Sequence, residues 1–277
     1  MDSKNKKVCL TDCHIHSGLL KHTKNSPKEF IAEAINNNYK TIVFVEHFSY
    51  IFAISKFKKW SLNYDTLVIK NAQKQNRETK TLKEYKTIMT EIKSKYDLNI
   101  LIGLEVDFYS DHLNKIKSIL KKCKFDLILG SCHYIKNPKT QQYIHISSIE
   151  FEQLLNEQGE QYVYEEYFKT LELAIDTKSV DYIAHLDYLK KKIKNYKYSK
   201  VKIYIEKIID KLIEKNVGLE VNIKGVFDVG ESYPSKSIIK KYIKKGGKKL
   251  IFGSDSHSIK DFRDSKKIML EYIKLFS

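Results

Sequence analysis

Short apolar runs alternate along this chain with longer stretches in which apolar residues recur every three or four positions. The first pattern predicts buried strands and the second amphipathic helices. Strands are expected at about Val8–Cys13, Thr41–Val45, Ile100–Val106, Phe125–Gly130, Asp181–Ala184, Gly218–Val221 and Leu250–Phe252. Helix starts are marked between them. Ser26-Pro27-Lys28-Glu29 is a capping box with proline at the first helical position and predicts a helix to about Asn37. Thr81, with Glu84 three residues on, predicts another. Asp111 opens a further helix, long helical stretches cover about Ser148–Thr177 and Ser199–Asn216, Ser235 begins one that ends near Gly246-Gly247, and a last runs from about Lys260.

Seven strands alternating with helices predict an α/β fold with parallel pairing through right-handed crossovers. A closed or nearly closed seven-unit barrel suits the chain better than an open sheet, because of where the polar chemistry falls. The length of 277 residues is ordinary for a barrel of this kind. No Pro/Gly/Ser-rich linker divides the chain, so residues 1–277 are expected to form a single domain. Segment 48–80 has neither glycine nor proline and is too long for a bare loop. It is expected to be a partly helical excursion, a lid over the active-site face.

Composition narrows the partners. No apolar run approaches the ~20 residues that a membrane-spanning helix needs, and the polar start MDSKNKKVCLTD does not read as a signal peptide. A cytoplasmic protein without membrane contact is expected. Cys9, Cys13, Cys123 and Cys132 form no CxxC pair and should be reduced there, with Cys13 a buried, inert thiol beside His14. The net charge of +16 invites a nucleic-acid reading. Yet Arg77 and Arg263 are the sole arginines, and the lysines scatter over many helices within a composition also rich in Ile, Asn and Tyr. Solvated helix faces account for most of that charge, and a basic rim that attracts a small anionic substrate accounts for the rest. Nucleic acid is the disfavoured partner.

The candidate chemistry gathers at strand ends. His14 and His16 close the first strand and His22 follows; His47 closes the second; Glu105 the third; His133 follows the fourth; His185 closes the fifth; Asp255 and His257 follow the seventh. In a parallel barrel these ends share one cavity. Imidazoles and carboxylates suit Zn, Mn or Fe, and residues two apart on a strand face the same side. Each piece alone has an ordinary explanation. His-x-His is common at surfaces, Glu105 could pair with a cation at the barrel mouth, and Asp255 could cap the last helix. The joint placement is the specific signal. His112 and His145 fall outside it and are expected at the surface.

The ordered motifs DCHIH, VEH, GLEVDF, GSCHYI, HLDYLKK, LEVNIKG and FGSDSH resemble those of the PHP (polymerase and histidinol phosphatase) superfamily over essentially the whole chain, and its histidinol-phosphate phosphatase branch in particular. The resemblance implies a distorted seven-stranded (β/α)7 TIM-like barrel with three divalent metal ions (Zn, Mn or Fe). Carried over by position, His14, His16, Glu105 and Asp255 would hold one ion, Glu105 would bridge to a second on His133 and His185, and His22, His47 and His257 would hold the third. The implied activity is hydrolysis of a small anionic phosphomonoester, L-histidinol phosphate, with Glu105, Asp255 and His257 next to the reacting atoms. Asp12 and Asp187 would orient ligand rings. Candidate substrate contacts are Arg77, Asp107, Asp187, Lys190, Lys224 and Arg263, with Asp228 and Glu231 as further acidic partners. One departure stands out: after Asn222–Gly225, where relatives often carry basic residues, this chain has Val226, Phe227 and Asp228. Competing readings are a PHP phosphoesterase acting on phosphotyrosine proteins or nucleic acid, and a non-catalytic metal-binding module.

Overall fold

The structure, a computed structural model, describes residues 10–20, 22–51, 61–62 and 81–276. Seven parallel strands form one sheet: β1 (Thr11–Ile15), β2 (Thr41–Ser49), β3 (Asn99–Asp107), β4 (Leu127–Ser131), β7 (Tyr182–Ile183), β8 (Gly218–Asn222) and β9 (Leu250–Gly253), neighbours in that order. The omitted numbers, β5 (Tyr134–Lys136) and β6 (Tyr143–His145), are an antiparallel hairpin. The helices are α1 (Pro27–Asn36), α2 (Leu82–Lys93), α3 (Leu113–Leu120), α4 (Ile149–Asp176), α5 (Tyr198–Lys215), α6 (Lys224–Val229), α7 (Lys236–Lys244) and α8 (Ile259–Phe276). The sheet curls until its edges meet. His16 N–H donates to Ser256 O at 3.1 Å and Asp255 N–H to His14 O at 2.8 Å, so the end of β1 is stitched to the residues just after β9.

The helix-start signals act as expected. Ser26 and Thr81 each close a capping box, through Glu29 and Glu84. Strand alternation then sorts the side chains. Val43 and Val45 on β2, and Leu127 and Leu129 on β4, fill the barrel interior with Cys13 and Ala184. Ile42, Phe44, Ile100, Ile102 and Leu104 belong instead to the larger core shared with the helices. Continuing the inward parity toward the C-terminal ends brings up His47 on β2 and Glu105 and Asp107 on β3, with His47 and Glu105 directly paired. On β1 the register shifts between Asp12 and Ile15. Such an irregularity re-aims side chains, and it lets Cys13 stay in the apolar interior while His14 and His16 reach the ligand cluster.

Several expected boundaries move. β2 runs to Ser49 rather than Val45, because Glu46 and His47 look polar in sequence yet face buried surroundings. The hairpin β5–β6 and the short helix α6 carry no strong signal and were not expected. Of the expected lid at 48–80, only 48–51 and 61–62 lie within the described residues. Among the described residues, no helix is long and apolar enough to cross a membrane.

Candidate metal centre

Glu105 sits at the middle of the ligand cluster, almost wholly buried. Its Oε1 lies 2.7 Å from His185 Nε2 and 3.4 Å from His133 Nε2. Its Oε2 lies 2.8 Å from His47 Nδ1, 3.6 Å from His14 Nε2 and 3.8 Å from His16 Nε2. Asp255 Oδ1 approaches His16 Nε2 at 3.2 Å and His14 Nε2 at 3.6 Å. His14 Nε2 and His16 Nε2 face each other at 3.3 Å. Donor atoms on one tetrahedral ion with bonds of about 2.0–2.1 Å would be spaced about 3.3 Å apart. A second knot holds His22, His47 and His257 around His16, with His16 to His257 ring centroids 4.1 Å apart and His16 to His47 4.2 Å. The structure thus brings together all nine side chains the sequence singled out as ligands, and groups of them can hold divalent metal.

The ring tautomers test that fit. A carboxylate or a carbonyl can only accept, so a ring nitrogen that hydrogen-bonds to one behind the cluster is the donor. His14 Nδ1 donates to Glu220 Oε1 at 2.6 Å, His133 Nδ1 to Asp107 Oδ1 at 2.9 Å and His257 Nδ1 to the carbonyl of Asp255 at 3.1 Å. In each ring the other nitrogen, Nε2, is left facing the cluster, and carboxylate partners of this kind are what ligand histidines use. Among the described residues, both nitrogens of His22 are buried without a hydrogen-bond partner, a costly state that coordination would relieve.

Burial opposes charge throughout the cluster, yet neighbouring carboxylates raise His14, His47, His133 and His185 above the usual imidazole range. Burial opposes the charge on Glu105, but the imidazoles of His133, His47 and His14 outweigh it and hold the carboxyl well below the usual range. Asp255 is held down in the same way by His14, His16 and His257. Burial, reinforced by His47 and His257, pushes His22 down to about 2, so its ring stays neutral. His185 and Asp255 both adopt positive φ, 26° and 54°. Sparsely populated backbone of this kind concentrates at functional sites.

Above the cluster opens a cavity of about 570 Å³, whose wall includes His145, Tyr188, Lys191, Lys224 and Asp228. The expected substrate contacts divide here. Lys224 lines the cavity, its Nζ 3.4 Å from Asp261. Asp107 also lines it, but its Oδ1 is committed to the His133 ring and backbone N–H. Lys190 turns away, tied to Asp187, Glu231 and the carbonyl of Ser232. That leaves Asp187 as its buried partner and takes Glu231 as well. Arg263 is exposed and makes a bidentate pair with Glu33 of α1. None of these four residues lines the cavity. Arg77 lies outside the described residues. Asp12 accepts from the backbone N–H groups of His14 and Ser254, so it shapes the β1 irregularity rather than orienting a ring.

Four features escaped the sequence. Glu220 and Glu46 are fully buried carboxylates beside ligands. Glu220 also accepts from the His185 backbone N–H at 2.9 Å, and Glu46 accepts from the Ser17 backbone and hydroxyl. Lys191, paired with Asp228 at 2.9 Å, lines the cavity where its neighbour Lys190 does not. His145, expected at the surface, lines the cavity too. His112 lies outside it, half-buried among Tyr50, Tyr109 and Tyr143.

Comparison with known proteins places this geometry. The PHP domain signature matches residues 12–224. A "Probable histidinol-phosphatase" of Clostridium acetobutylicum is 27% identical over 171 residues, 59% of this chain and 63% of that one, so the match spans less than two thirds of this relative. Another of that name, from Deinococcus radiodurans, is 24% identical over 90% of this chain and 86% of its own. Among solved structures, HisK of Listeria monocytogenes superposes with a TM-score of 0.72 at 21% identity, covering 91% of this chain and 96% of its own. The histidinol phosphate phosphatase of Lactococcus lactis, solved with zinc, L-histidinol and phosphate, gives 0.63 at 22% identity over 94% of both chains. These superpositions show the nearly closed TIM-like barrel of seven parallel strands, and the signature spans most of the sequence: the chain belongs to the PHP domain family.

Proposed function

We propose that the chain is a metal-dependent phosphomonoesterase that hydrolyses L-histidinol phosphate to L-histidinol and inorganic phosphate, a cytoplasmic step of histidine biosynthesis. The observation that carries this reading is the packing of eight ligand-type side chains around Glu105 at the floor of one cavity, with Nε2 and carboxylate oxygens at metal-ligand spacing. The relatives named for this activity match up to 90% of the chain, and the Lactococcus neighbour carries the corresponding products. The chain is read as one barrel unit.

The proposed centre holds three ions. His14, His16, Glu105 and Asp255 would take one; Glu105, His133 and His185 a second; and His22, His47 and His257 the third. When bound, such ions bring the pKa of a coordinated water to roughly 7 and offset charge on phosphoryl oxygens. Glu105 and Asp255 are kept ionised by the surrounding imidazoles and anchor the cations at the cavity floor. His257 donates through Nδ1 to the Asp255 carbonyl. Its Nε2 therefore carries a lone pair, which suits a ligand and not the proton donor to the leaving alcohol. Lys191 and Lys224 supply positive charge to the wall, in place of the basic residues missing after Gly225. Asp228, beside Lys191, is available to a substrate cation.

The test is phosphate release from L-histidinol phosphate with added Mn²⁺ or Zn²⁺, beside an aryl phosphate and a chelator control. Chelator-sensitive turnover with strong preference for histidinol phosphate is expected. Turnover of the aryl phosphate alone would keep the metal phosphoesterase and discard the substrate. Turnover of neither would move the chain to the non-catalytic reading.

A further inference from the structure

His145 presents its ring to the cavity in the opposite sense from the ligand histidines. In His14, His133 and His257, Nδ1 donates to an oxygen and Nε2 is the nitrogen left to the ligand cluster. In His145, Nδ1 accepts from the backbone N–H of Ser147 at 3.0 Å. A nitrogen that accepts carries no proton, so this neutral ring bears its proton on Nε2. None of the metal-type donor groups among the described residues includes His145. His145 is thus an imidazole on the cavity wall whose Nδ1 accepts and whose N–H is Nε2.

The ring is also held in place before any ligand arrives. It lies on His133 with centroids 6.0 Å apart and planes 19° from parallel, and Tyr134 packs edge-on at 4.9 Å. The backbone on either side is fixed: Ile146 N–H donates to His133 O at 2.8 Å, and Ser148 N–H to His145 O at 2.9 Å. Ser147 Oγ and Tyr188 OH lie 3.1 Å apart, which joins the hairpin to the turn after β7. Tyr188 and Lys191 from that turn share the same wall of the cavity. A neutral donor held on the cavity wall beside the Lys191 cation fits an anionic oxygen acceptor.

We propose that His145 donates its Nε2–H to a non-bridging oxygen of the bound phosphoryl group. The proposal rests on the phosphoester reading of the site but not on the identity of the alcohol. His145→Phe keeps the stacked ring and removes the donor, and His145→Gln restores an N–H. The probe is inorganic phosphate, titrated calorimetrically into the metal-loaded protein, with metal content and melting temperature measured on the same samples. A hydrogen bond to a charged group supports an expected weakening of phosphate binding of about tenfold in His145→Phe. Partial recovery in His145→Gln, with metal content and melting temperature unchanged in both variants, is the rest of the expected result. Phosphate binding as tight as wild type in His145→Phe would overturn the proposal and leave the ring a packing element. Loss of metal from that variant would also overturn it, by making His145 a support of the metal centre. Because phosphate itself is the probe, inactivity toward histidinol phosphate would sink the substrate reading without touching this one.

Discussion

At the scale of single residues, the side chains behind the ligands are as telling as the ligands. Glu220 holds two of them at once, gripping the His14 ring through Oε1 and the His185 backbone through Oε2. It thereby fixes which nitrogen of His14 faces the ligand cluster. Glu220→Gln should lower metal affinity about 10- to 100-fold with little change in circular dichroism. Competition with a chromophoric chelator measures this, and unchanged affinity would reduce Glu220 to packing. The histidines were legible in the sequence because nearly all of them follow apolar strands. Glu220 was not, since its partner His14 lies 206 residues away and LEVN reads as an ordinary strand. Lys190 and Arg263 were singled out for their charge. Charge alone does not say which carboxylate will claim it, and Asp187 and Glu33 did. His145 was misplaced because the hairpin that carries it has three-residue strands, too short for a periodic signal.

At the scale of elements, local caps and long-range contacts differ in how far the sequence reveals them. The capping boxes of α1 and α2 were readable because a cap is local chemistry: four consecutive residues suffice. Thr81 accepts from Glu84 N–H at 3.1 Å while Glu84 accepts from Thr81 N–H at 2.9 Å. Thr81→Ala should cost about 1 kcal/mol of stability and leave metal affinity unchanged, which denaturant unfolding and metal titration check together. Gly253 at the end of β9 is the converse case. A Cβ built there would meet Glu220 Oε1 and His14 Cβ, each at 2.5 Å. Gly253→Ala should therefore push the Glu220–His14 pair apart and weaken metal binding more than it weakens the fold. Equal losses in both would show that the strand end has only a structural role. The irregularity in β1 belongs to the same class of hidden feature. Strict alternation would put Cys13 and His14 on opposite faces, and only the register shift explains how both are used.

At the scale of the whole molecule, the surface charge and the buried charge have separate logics. Lysines of α5 and α7 pair with acidic residues of neighbouring helices, as in Lys207–Glu172, Lys211–Asp176 and Lys241–Glu206. Exposed pairs of this kind contribute at most about 1 kcal/mol each. The buried charge is concentrated at the barrel mouth, where Glu105, Asp255 and the imidazoles come from strands at opposite sides of the chain order, β1 through β3 and the residues after β9. The closing contacts of the barrel, His16 to Ser256 and Asp255 to His14, run through these same ligand residues. Metal bound there should hold the seam shut, because binding to the folded state alone stabilises it by about 2.7 kcal/mol per site at a hundredfold excess over Kd. For a chain of this size, ~1 kcal/mol corresponds to about 2–4 °C in melting temperature. Exhaustive chelation should thus lower the melting temperature by at least about 5 °C, and restored Zn²⁺ or Mn²⁺ should recover it with three ions bound per chain. A melting temperature indifferent to chelation would mean that the seam closes without metal. Recovery complete at a single ion would confine the stabilising site to the Glu105–Asp255 cluster and leave the His22–His47–His257 knot to the reaction alone.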